Sequence, residues 1–145
     1  MSHRFSLAPV LKLRESIEER ERHLLEQTQH EISHVLQMQE SLKAQQLWVL
    51  QQRELALSRG VRAMDLVYLE QTRRSLHLRQ AILDDNLATL QARRKQQLED
   101  YALAKRKREV LSELRDHQRV AYAAISARRQ QRITDDSFLA RSRQR

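Results

Sequence analysis

Along the chain of 145 residues, apolar side chains recur at helical spacing and rarely cluster. Leu25, Thr28, Ile32, Val35, Leu36, Leu42, Val49, Leu50, Ala56 and Leu57 form one stripe, the pattern of a helix with a single apolar face. Upstream, Val10, Leu13, Ile17 and Leu24 keep similar spacing but out of phase. That offset predicts a coiled-coil stutter near residues 24–28. In the second half, Leu69, Leu76, Leu83, Leu90, Ala104, Leu111 and Ile125 share one seven-residue repeat, with Gln97 and Gln118 in its gaps. A second seam is mixed: Leu66, Leu87, Tyr101 and Tyr122 alternate with Arg73, Gln80, Arg94, Arg108 and Arg115. One strong and one mixed seam predict a modest two-stranded interface rather than a deep core.

Gly60 is the only glycine and Pro9 the only proline. Proline suits the first turn of a helix, and glycine suits the left-handed position just past a helix end. Helix one is therefore expected over about 9–57, a turn over 58–62 and helix two over about 63–133. Asp65 falls in the first turn of helix two, where an acid meets the positive end of the helix dipole. Thr134, Asp135 and Asp136 are poor helix-interior residues, so residues 134–145 are expected to fray. One turn between two long helices makes them antiparallel neighbours. The expected fold is all-α: a long antiparallel two-helix coiled coil, or αα-hairpin, in a single domain. Counting outward from the turn sets Pro9 opposite roughly residue 112, so about 20 residues of helix two should project beyond helix one.

Composition agrees with a long-helix protein: 32% charged residues and 4% aromatic. The longest strongly apolar run is Leu47 to Leu50, too short for a transmembrane span. The N-terminus lacks the apolar core of a secretory signal. With no cysteine, neither a disulfide framework nor a thiolate metal site is expected, and cytoplasmic residence is the simplest reading. Charge adds an asymmetry. Residues 1–90 hold 12 Lys/Arg against 12 Asp/Glu, whereas residues 91–145 hold 15 against 7. The projecting end combines Val120, Tyr122 and Ile125 with Arg115, Arg119, Arg128, Arg129 and Arg132. Apolar residues among arginines suggest an interface with an acidic partner. A solvated helix end, or pairing with the segment around Phe5 and Leu7, would account for the same residues.

Chemistry is not expected. A single glycine excludes phosphate-cradling loops, and a two-helix hairpin offers no cleft to orient a catalytic set. No cofactor or metal is implied, and the protein reads as a non-enzyme. His23, Glu26, His30 and His34 do share one helix face, but that face is expected opposite the apolar stripe, in water and without groups to orient the rings. Trp48 and Tyr68 should flank the seam near the hairpin tip, either as interface anchors or as edge cover for a thin core. Basic stretches such as "AKRKRE" could follow a phosphate backbone. They alternate with acids, and stacking aromatics are sparse, so no specific nucleic-acid partner is expected.

The opening "FSLAPVLKLRE", the entry to helix two "DLVYLEQTRRSLHLRQAIL" and the close "LSELRDHQRVAYAAISARRQQRITDDSFLAR" resemble the flagellar FliJ family. These are the central stalks of type III export ATPases, and the likeness extends over nearly the whole chain. The resemblance implies a non-enzymatic antiparallel coiled coil whose joined termini insert into a hexameric export ATPase. It also implies links to the membrane export gate and to export chaperones, in the cytoplasm at the inner membrane. By position, it makes Arg115, Arg119, Tyr122, Ile125, Arg128, Arg129 and Arg132 the ring contacts. Trp48, Tyr68 and Thr72 fall near the export-gate surface, with Gly60 at the far tip. The stalk of a virulence (injectisome) system and a generic dimeric coiled-coil scaffold stand as alternatives. A stalk is expected to be monomeric alone.

Overall fold

The computed structural model describes residues 3–144. It holds two helices, α1 (Ala8–Arg59) and α2 (Ala63–Arg143), packed against each other with no strand among the described residues. The fold is an all-α antiparallel hairpin. Pro9 sits in the first turn of α1, and Leu11 N–H already donates to the Leu7 carbonyl at 2.9 Å. Gly60 adopts φ 71°, the left-handed conformation, immediately after Arg59. A Cβ at Gly60 would meet nothing within 4 Å, so the demand for glycine lies in the backbone rather than in crowding. Arg59 in the last turn of α1 and Asp65 in the first turn of α2 both complement their helix dipoles.

Two compact units divide the chain. In the unit Glu21–Asp100, Ile32, Val35, Leu42 and Val49 of α1 bury themselves with Leu76, Leu83 and Leu90 of α2, flanked by Leu69 and Leu87. Each such aliphatic burial contributes about 1.5–3 kcal/mol relative to an exposed side chain. The register is visible in cross-helix bonds: Gln39 Nε2 donates to Asp84 Oδ1 at 2.8 Å and Gln46 Nε2 to Gln80 Oε1 at 2.9 Å. Arg93 Nη1 donates to Glu31 Oε2 at 3.3 Å. Thr28 occupies a seam position and is 2% exposed. Gln97, the expected gap in the leucine repeat, has its Oε1 buried without a hydrogen-bond partner.

In the second unit, described over residues 3–20 and 101–144, Phe5, Leu11 and Ala104 are buried. Here the expected seam of α1 is corrected. Val10, Leu13 and Leu24 are exposed, while Leu11 and Glu18 lie inward, spaced seven apart like Leu25 and Ile32 after them. The burial pattern of α1 therefore runs without a stutter. Its cause lies on the facing helix, where Arg108 occupies a seam position and requires a carboxylate opposite. Turning Leu13 inward would rotate Leu11 and Glu18 out, since residues two apart point to different helix faces.

The end of α2 also differs from expectation. The helix continues to Arg143 instead of fraying after Ile133. Thr134 and Ser137 hydroxyls donate to the Gln130 and Ile133 carbonyls at 2.9 and 2.7 Å. These groups turn their polarity onto their own helix. Arg141 and Arg143 in the last turn suit the negative end of the dipole.

Candidate interaction surfaces

Two surfaces gather the residues singled out by sequence. The first is the end of α2. The segment before α1 covers part of it: Phe5 is buried, and the His3 ring lies 5.1 Å from the Tyr122 ring at an interplanar angle of 31°. Tyr122 is consequently half-buried, and Arg115 is turned to its own helix, its Nε donating to Asp116 Oδ1 at 3.2 Å. The segment ahead of α1 thus reaches α2 through His3, at Tyr122.

Beyond it, α2 is bare. Every residue from 127 to 144 is exposed. Ile125 shares the leucine repeat in sequence but is 51% exposed, since α1 begins only at Ala8 and among the described residues no helix faces it. Val120, Ile133, Phe138 and Leu139 are also exposed. Phe138 lies 18 residues after Val120, five helical turns, so the two share one face. Arg119, Arg128, Arg129 and Arg132 are exposed as well, and none of these arginines has an ion-pair partner among the described residues. Phe138 and Leu139 escaped the sequence reading because residues 134–145 were expected to fray, and Ile133 because it closes the expected helix outside both seams. Their signal was the apolar trio itself, placed among polar residues.

The second surface is the hairpin tip. Trp48 and Tyr68 are exposed and line a common groove of about 300 Å³ with Gln52, Leu55, Val61 and Leu69. Thr72 is not part of that groove; its hydroxyl donates to the Tyr68 carbonyl at 2.9 Å. Beside it on α2, Glu70 Oε1 and Oε2 accept from Arg73 at 2.6 and 2.9 Å. Those bonds, outweighing the cost of partial desolvation, and the charges of Arg73 and Arg74 hold the Glu70 carboxyl at about 2, below its ordinary 4.5. Further along this unit, Met38 and Ile82 border a second groove of about 360 Å³ floored by Leu42 and Leu83.

His23, Glu26, His30 and His34 are all exposed, as expected of a water-facing set. His23 Nδ1 lies 3.8 Å from Glu26 Oε2. His30 and His34 are exposed but border an open groove with Asn86, Thr89 and Arg93 of α2, so they flank the helix pair instead of pointing directly away. Among the described residues no three His, Asp or Glu side chains come together as metal ligands, and no helix is long and apolar enough to cross a membrane.

Comparison with protein-family models, curated proteins and solved structures finds no match to this chain.

Proposed function

We propose that this protein is a central stalk of a type III protein export ATPase, flagellar or of the virulence type. In this reading the joined termini enter the opening of a hexameric ATPase, and the stalk promotes ring assembly and turnover without doing chemistry itself. The observation that carries the reading is the bare end of α2. Ile125, Ile133, Phe138 and Leu139 are exposed there among Arg128, Arg129 and Arg132. An enclosed opening lined by apolar and acidic groups would bury the first set and complement the second. Tyr122 and Arg115 then belong to the base of the inserted end, held by contacts within the hairpin. The tip groove of Trp48 and Tyr68 is the surface offered to the export gate, with export chaperones as further partners. The stalk biases a gate conformation only as far as it binds one state better than another.

The test is turnover of the cognate ATPase with and without the protein, beside a variant carrying Arg128→Glu, Arg129→Glu and Arg132→Glu. Stimulation by the wild type and its loss in the variant are expected. An assembled ATPase that ignores the wild type would remove the stalk reading. The second reading, a dimeric coiled-coil scaffold, draws on one observation: the unbroken leucine repeat Leu69, Leu76, Leu83 and Leu90.

A further inference from the structure

That leucine repeat poses a question of partner choice. Leucine at every seventh position is the pattern of a parallel two-stranded coiled coil. On this seam alone, a second copy of α2 would fit α2 as well as α1 does. The hairpin nevertheless pairs α2 with α1 of the same chain. The difference lies in the other seam, which holds Arg73, Gln80, Arg94, Arg108 and Arg115.

In a parallel, in-register pair each of these residues would face its own copy. Four arginines would meet four arginines, and three of them, Arg73, Arg108 and Arg115, stand at half-buried positions. Like charges placed so are repelled, and their desolvation is uncompensated. The antiparallel hairpin gives two of these five residues a partner on α1, and two more are paired within α2 itself. Arg108 meets Glu18 of α1, donating from Nε at 2.6 Å and from Nη2 at 3.2 Å. Gln80 accepts from Gln46 of α1 at 2.9 Å. Arg73 is satisfied by Glu70, and Arg115 by Asp116 and by the Ser112 hydroxyl at 3.4 Å. Arg94 is exposed, its charge left to water.

We infer that the arginines of this mixed seam select α1 of the same chain as the partner of α2 and reject a second copy of the protein. The leucines supply adhesion that does not discriminate, and the arginines supply the discrimination. A single polar or charged residue at such seam positions is known to set partner number and alignment at some cost in stability. Here four of them act against one alternative.

The experiment compares three full-length proteins by sedimentation over a wide concentration range. They are the wild type, a seam variant with Arg73→Leu, Arg94→Leu and Arg115→Leu, and a control with Arg74→Leu, Lys95→Leu and Arg106→Leu. The control removes the same charge and adds the same apolar groups away from the seam. The wild type is expected to be monomeric, and the seam variant to self-associate at least tenfold more tightly than the control. A seam variant no stickier than the control would overturn the inference, and so would a wild type already dimeric at low micromolar concentration. Should the seam variant fail to fold, a charge-swap cycle carries the test: Glu18→Arg, Arg108→Glu and the two combined. Each single change is expected to lower the melting midpoint and the combination to recover most of the loss. A combination no better than the sum of its parts would mean that the pair does not align the helices.

Discussion

Arg108 and Glu18 lie 90 positions apart in the chain, yet two hydrogen bonds of 2.6 and 3.2 Å join them across the helix pair. Their side chains keep only 27% and 18% of their exposure. The bidentate geometry fixes orientation as well as distance, and the Glu18 bonds push the Arg108 guanidinium further above its ordinary value. Arg108→Ala would take the bidentate bonds away from the half-buried Glu18 carboxylate, a loss of about 1–2 kcal/mol for a charged hydrogen-bonded pair that retains some solvent. Chemical denaturation of the variant beside the wild type measures it; an unchanged midpoint would mean that water replaces the guanidinium at no cost.

Gly60 is the hinge of the hairpin, and open space surrounds its missing Cβ. Only backbone strain opposes a side chain there. Gly60→Val is expected to cost on the order of 1 kcal/mol or more, because a β-branched residue resists positive φ. Gly60→Asn should cost less, since asparagine tolerates the left-handed region. Thermal melting of the pair separates strain from steric effects: equal losses in both variants would point to something other than φ.

Gln97 occupies the leucine seam with its carbonyl oxygen buried and unbonded. An unsatisfied polar atom costs about 1–3 kcal/mol when shielded from water. Gln97→Leu continues the repeat from Leu83 and Leu90 and should raise stability by about 1 kcal/mol. A lower melting temperature in this variant would show that the amide holds some contact worth more than its desolvation.

Glu70 supplies a pH signature. Its folded value of about 2 lies below the ordinary 4.5, first because of the Arg73 hydrogen bonds. A depressed acid stabilises the folded state fully above its unfolded value. The contribution of Glu70 is therefore intact above pH 4.5 and is lost as pH falls through about 2. Nuclear magnetic resonance titration of the side-chain carboxyl should show this low midpoint in the wild type and a return toward 4.5 in Arg73→Ala. A midpoint near 4.5 in the wild type would mean that the Arg73 contact does not persist in solution.

Much of this architecture is legible in the chain. Both seams of α2 follow from spacing alone, apart from the exposed Arg94 and Ile125, and the lone glycine marks the turn within a residue or two of where it lies. Helical periodicity and the demand for positive φ are local properties, set by each residue and its near neighbours. The seam of α1 is legible only in part: Thr28, Ile32, Val35, Leu42 and Val49 are buried as spacing predicts, whereas Leu36, Leu50 and Leu57 of the same stripe are exposed. Counting apolar residues favours Val10, Leu13 and Leu24, whereas burial goes to Leu11, Glu18, Gln39 and Gln46, because each inward position answers the residue opposite it on α2. Sequence spacing contains no information about what lies opposite. The same holds at the far end of α2. His3 meets α2 at Tyr122, and Ile125, one turn further, stays bare although it belongs to the leucine repeat. A repeat states which residues can be buried together; only the facing chain decides which of them are.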